Sequence, residues 1–197
     1  MMTMLMPKTS GGPYHHIGTS AWGGACISLL GSAMHFVFRW SGCSALAAVF
    51  CAVNESIYEH IKIMLFPILF WWLCAAAAMP RQFGTQALNA ATVAMYLSLC
   101  LLLAGNGLSQ AGGFETLAYD ISMFVACIFF GQTMGYYYFY KLNMARDSSS
   151  GGCCHLLLAA MVVMLFVCTF SPPQWAYMFE DHHNASHTFY GLPEGCQ

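Results

Sequence analysis

Val53-Asn54-Glu55-Ser56-Ile57-Tyr58-Glu59-His60-Ile61-Lys62, followed without a break by the apolar run Ile63 to Met79, is the stretch from which the fold can be read. Four ionisable side chains, Glu55, Glu59, His60 and Lys62, fall within ten residues of a chain that is 58 % hydrophobic and only 7 % charged. Soluble domains carry roughly 25 % charged residues, and a helix needs about 20 apolar residues to cross a bilayer. The chain therefore reads as an integral membrane protein with a polar stretch at the start of one span. Ser56 as N-cap, with Glu59 reaching back from the third helical position, makes a capping box. The helix that it starts, residues 57–79, is roughly 34 Å long at about 1.5 Å per residue. Pro67 is expected to kink this helix and Pro80-Arg81 to end it. Trp71 and Trp72 lie well inside it and are expected to pack on a neighbour.

The same hydropathy argument, applied outward in both directions, predicts an all-α polytopic bundle of five spans, at about 22–40, 57–79, 87–104, 117–140 and 154–170. Trp22 and Trp40 bracket the first span as interfacial aromatics do. Its Gly23, Gly24, Ser28, Gly31 and Ser32 would let a neighbouring helix approach closely. Residues 43–53 are too short to span and are expected to lie at the interface or fold back onto the bundle. Asn106-Gly107 is read as the turn after the third span. The run Tyr136-Tyr137-Tyr138-Phe139-Tyr140 is read as an aromatic belt ending the fourth. Residues 141–152 have linker composition. The resulting division is a flexible cytoplasmic tail over 1–21, a single transmembrane domain over 22–171 and a polar tail over 172–197. The glycine-rich start holds no basic region leading into a cleavage site, so no signal peptide is expected.

Basic residues set the orientation. Lys8, Arg81, Lys141 and Arg146 fall on the amino-terminal side, whereas Arg39 and Lys62 share the other side with Glu55, Glu59, Glu115, Glu180, Asp181 and Glu194. The amino terminus is thus predicted to be cytoplasmic and the carboxyl terminus outside or lumenal. The sequons Asn54-Glu55-Ser56 and Asn184-Ala185-Ser186 fall on that outer side. The partner implied is the lipid bilayer. A net charge of −2 gives no reason to expect nucleic acid, and five spans are few unless the protein forms a homo-oligomer.

On this topology the polar residues converge on one leaflet: His35 and Arg39 end span one, Asn54, Glu55, Ser56, Glu59, His60 and Lys62 start span two, and Asp120 starts span four. Glu55, Glu59 and Lys62 share one helical face by their spacing, and Ser56 and His60 the adjacent one. Gln132 would lie about 18 Å deeper and is read as a hydrogen-bonding helix contact. The bland reading is structural: acids and a capping serine at a helix start, with a lysine snorkelling to the interface. The functional reading is a polar site, because ionisable groups near the membrane interior are costly.

Gly31-x-x-x-His35-Phe36-x-x-x-Trp40-Ser41-Gly42, Val53-Asn54-Glu55-Ser56-x-x-Glu59-His60-x-Lys62 with Pro67, Asp120-Ile121, Gly131-Gln132, Phe170-x-Pro172-Pro173 and Tyr190-Gly191 together span nearly the whole chain. In these motifs the chain resembles an uncharacterised domain-of-unknown-function family of small five-span membrane proteins. It departs from that pattern at Arg39, where an acid is expected, at Tyr58, where tryptophan is usual, and in its tail histidines. The resemblance implies the architecture and the choice of site, and no activity. A weaker similarity, to membrane-embedded hydrolases and receptors of the alkaline ceramidase and adiponectin-receptor type, implies a metal-dependent hydrolase. There a zinc ion would sit on His35, His60 and Asp120, with Glu55 or Glu59 as base or supporting group. Those proteins carry paired histidines in a late helix, whereas span five holds only His155. The competing class is a small-solute or proton-coupled transporter working through the same acids and lysine.

Outside the cluster, His182-His183-x-x-x-His187 has metal-binding spacing in a tail where solvated histidines are commonplace. Cys43, Cys51 and Cys196 lie on the predicted outer side, where one disulfide is permitted. Cys153-Cys154 is a candidate for palmitoylation or for plain interfacial packing.

Overall fold

The computed structural model describes residues 13–78, 81–114, 116–145, 151–173 and 175–179, and every regular element among them is a helix. In chain order these are α1 (Pro13–Trp40), α2 (Ala45–Phe50), α3 (Ile57–Ala78), α4 (Arg81–Gly112), α5 (Leu117–Ala145), α6 (Gly151–Phe170) and α7 (Ala176–Phe179). Five of them, α1 and α3 to α6, are long and apolar enough to cross a membrane. The protein is a five-span all-α membrane protein.

Local chemistry explains where these helices start and stop. Pro13 opens α1, a position where proline's missing N–H costs nothing. Residues 13–21, read from sequence as tail, are thus helical, while residues 1–12 lie outside the described residues. At the end of α1, Gly42 has φ 67°. Its N–H donates to Arg39 O at 3.2 Å and that of Cys43 to Phe38 O at 3.0 Å, a Schellman stop. Helix α4 ends the same way at Gly113, φ 65°, with Gly113 N–H on Gln110 O at 3.3 Å and Phe114 N–H on Ser109 O at 3.2 Å. The helix therefore runs straight through Asn106-Gly107, which is no turn. Asn106 Nδ2 donates instead to Leu102 O at 2.9 Å, and Ser109 Oγ to Asn106 O at 3.0 Å, bonds that lie within the helix. The linker is also shorter than its composition suggests, since α5 continues to Ala145 and α6 begins at Gly151.

Helices α1, α3, α4 and α5 form a ring in which each packs on two neighbours, and α6 lies outside it against α4. Small residues set the spacing. Gly131 and Gly135 of α5 meet Ala94, Ser98 and Ala90 of α4 so closely that a Cβ at Gly131 would stand 2.6 Å from Ala94 O. Trp72 is fully buried against Tyr136 and Phe139, and Trp71 Nε1–H donates to Tyr136 OH at 3.0 Å. The aromatic run is thus divided by helical periodicity. Tyr136 and Phe139 face the core and Tyr137 faces outward.

Thr92 Oγ1 and Tyr96 OH donate to Cys154 O and Leu157 O of α6, both at 3.1 Å. The far side of α6 exposes Leu156, Val163, Val167 and Phe170, as a lipid-facing helix does. Gln132 is fully buried, but neither polar atom of its amide has a protein partner, so it is no hydrogen-bonded helix contact. The α4 hydroxyl beside Gly131, that of Ser98, donates instead to Cys127 O at 3.0 Å.

Candidate functional site

The sequence from Ser41 to Ser56 folds back over the end of the bundle where α1 stops and α3 starts. Helix α2 packs on α1, α3 and α6, and Phe50 inserts between Phe66 of α3 and Phe166 of α6, with ring centroids 5.0 and 6.2 Å away. At the start of α3, Ser56 Oγ accepts the Glu59 N–H at 3.4 Å, as an N-cap should. The reciprocal half of the capping box is absent. Asn54 Oδ1 takes the Ser56 N–H at 3.0 Å, which releases the Glu59 carboxylate to accept the Val53 N–H at 2.8 Å.

Glu59 and Lys62 form a buried pair. Lys62 Nζ lies 2.8 Å from Glu59 Oε2, their side chains 0 % and 9 % exposed. The ammonium also donates to Ala48 O of α2 at 2.6 Å and sits 5.6 Å from the centre of the Tyr58 ring. Lys62 therefore does not snorkel. Both charges are closed off by backbone groups of the folded-back segment, which they tie to α3. Burial pushes the neighbouring Cys51 thiol up from its ordinary pKa, so it is inert at neutral pH. Tyr58, the second residue of α3, donates its hydroxyl to Leu165 O and lies 3.0 Å from Thr169 Oγ1. Its ring packs on Phe179 of α7, centroids 4.8 Å apart. Tyr58, Glu59, Lys62 and Thr169 line a cleft of about 230 Å³. Sequence reasoning missed Tyr58 and Thr169 as site residues; the signal was a tyrosine and a threonine at span ends on the same predicted side.

Glu55 goes the other way. It precedes the first helical residue, so helical spacing does not place it with Glu59 and Lys62. Its carboxylate lies between two imidazoles, Oε1 at 3.0 Å from His35 Nε2 and Oε2 at 3.8 Å from His60 Nε2. The two rings are 5.5 Å apart. All three side chains are partly exposed, His35 25 %, His60 32 % and Glu55 39 %. A specific contact brings the two helices together here. Pro67 has no N–H for Ile63 O, and Gly31 lies against that carbonyl so closely that a Cβ would be 2.6 Å from it. One turn further along α1 is His35, and one turn back along α3 is His60. Asp120, at the start of α5, is not in the group of ligand atoms that lie within 4.8 Å of one another, which holds His35, Glu55 and His60. Arg39 is exposed in the last turn of α1.

The polar stretch therefore divides into a closed ion pair and an accessible acid between two imidazoles, at one end of a five-span bundle. Residues 20–191 match the model of a family described as Family of unknown function (DUF6512). The chain belongs to this family. Searches of curated proteins and of solved structures gave no match. In this DUF6512 member Cys43 is disulfide-bonded, while Cys51 and the exposed Cys153 are free. Cys196 and the tail histidines lie outside the described residues, as do Glu115 and the second sequon.

Proposed function

We propose that this protein is a membrane-embedded binding protein whose ligand site is the accessible group His35, Glu55 and His60. The observation that carries the reading is the divided use of one ten-residue stretch. Glu59 and Lys62 are satisfied by each other and by backbone atoms, which supports a structural role for them. Glu55 and the two imidazoles remain partly open. Polar groups held in a fixed array at the end of a rigid bundle are the materials of a binding site.

The experiment is thermal melting of the detergent-solubilised chain with phosphate, acetate, ethanolamine or Zn²⁺. At least one of these is expected to raise the melting temperature of the wild type and not of Glu55→Gln. A ligand at 100 times its dissociation constant contributes about 2.7 kcal/mol, so the shift is measurable. The reading fails if none of the four raises it.

The site is proposed to face the outside or the lumen. Arg81 and Lys141 lie at the opposite end of the bundle, where positive charge favours the cytoplasm. The disulfide at Cys43 supports an oxidising compartment on the site's side. A membrane-impermeant maleimide is expected to label Cys153 only after permeabilisation. Labelling of Cys153 in intact cells would reverse the orientation.

A further inference from the structure

We infer that the ligand of this site is a divalent transition-metal ion of the zinc class, bound by His35 Nε2, His60 Nε2 and the Glu55 carboxylate. This rests on the binding reading above and names its ligand. Three features carry it.

The donor set is the first. Two imidazole nitrogens and a carboxylate are the ligands that zinc and its neighbours take, with bonds of about 2.0–2.2 Å. Neither a purely acidic cluster nor a lone histidine would make this argument; here both ligand types come from different parts of the chain, α1, the link before α3 and α3 itself.

The second feature is spacing. In a tetrahedral site with bonds of about 2.05 Å, neighbouring ligand atoms stand about 3.3 Å apart. The carboxylate oxygens lie 3.0 and 3.8 Å from the two nitrogens, and all three ligand atoms fall within 4.8 Å of one another. A small adjustment of side-chain torsions brings the set onto one ion without moving a helix.

The tautomer of His60 is the third. Its Nδ1 lies 2.9 Å from Ser56 O. A carbonyl can only accept, so Nδ1 donates to it, and Nε2 is the ring nitrogen turned to the acid. This is the outer arrangement that orients metal-bound histidines. His35 also turns Nε2 to Glu55, but its buried Nδ1 has no hydrogen-bond partner among the described residues, so the outer bond is made by His60 alone. The partial exposure of the three side chains leaves the fourth position to water. The imidazoles bind as neutral ligands, so ion binding displaces any proton on Nε2, and affinity falls as the pH is lowered.

The test uses the full chain purified without a polyhistidine tag and with His182, His183 and His187 replaced by alanine, so that the tail adds no sites. Co²⁺ titration is expected to give one equivalent with the intense visible bands of a tetrahedral ion, and Zn²⁺ to abolish them. His35→Gln and His60→Gln are each expected to weaken binding by about 100-fold or more while the melting temperature of the apoprotein stays close to that of the parent. Glu55→Gln, which removes the charged ligand, is expected to do the same. The inference is overturned if the parent binds no Co²⁺, or if either histidine variant binds it as the parent does. If Co²⁺ and Zn²⁺ do not bind but phosphate, acetate or ethanolamine still stabilises the protein through Glu55, the metal falls and the binding site stands. If none of them binds, both fall.

Discussion

Lys62→Met is expected to destabilise the bundle by about 3–5 kcal/mol, the cost of leaving one member of a buried ion pair alone. Methionine keeps much of the volume of the lysine stem, so packing is little changed. The loss falls on the Glu59 carboxylate, which keeps the Val53 N–H and loses its only salt-bridge partner among the described residues. Ala48 O loses its donor as well, so α2 keeps its packing on α3 through Phe50 and Phe66 but loses this polar tie to it. The double variant Glu59→Gln/Lys62→Met is expected to recover much of the loss, because it removes both charges from a site that is costly for either. Reversible unfolding in mixed detergent micelles measures both. A single variant as stable as the wild type would show that the pair is not closed off as described, and would reopen a role for Glu59 and Lys62 in moving a solute.

Gly31→Val is the second large effect. A Cβ at residue 31 would stand 2.6 Å from Ile63 O and 2.9 Å from Phe124 Cζ. The phenylalanine ring can move, but the carbonyl belongs to the backbone of α3 and cannot. Overpacking of this kind costs about 1–3 kcal/mol, and here relief requires α1 and α3 to separate. Their separation pulls His35 away from Glu55 and His60, so the variant is expected to lose stability and ligand binding together. Gly23→Ala is the control. The nearest atom to a Cβ there is in the Trp71 side chain, at 3.1 Å, and a side chain can give way, so a smaller loss is expected. If Gly31→Val unfolds at the wild-type denaturant concentration, α1 and α3 do not meet through this glycine.

Much of the fold was legible because hydropathy reports the cost of leaving water residue by residue. The second and fifth spans, predicted at 57–79 and 154–170, compare with observed apolar helices at Ile57–Ala78 and Gly152–Phe170. The third was cut short because Asn-Gly is a strong turn signal only when its neighbours do not hold it in a helix. The true stop, Gly112-Gly113, was in plain view one turn and a half later, and its Schellman bonds need nothing beyond the local chain. Gly31 was legible as a small residue in a span, and the carbonyl it uncovers was legible in Pro67, but nothing in either stretch says that they meet.

The candidate site was legible as a list and not as an arrangement. Spacing alone put Glu55 on the face of Glu59 and Lys62, and that inference assumed that residue 55 is helical. It lies in the bent segment before α3, where the Asn54 side chain accepts the Ser56 N–H, and its carboxylate meets His35 and His60 instead. By itself the sequence determined the membrane class and the five spans, since each depends on local composition. Only the tertiary structure decided that Glu59 closes on Lys62 while Glu55 sits between His35 and His60 and Asp120 stays outside their group. Side chains from separate helices meet according to how closely the helices pack and how each is rotated, and here a glycine against a carbonyl freed by proline sets both.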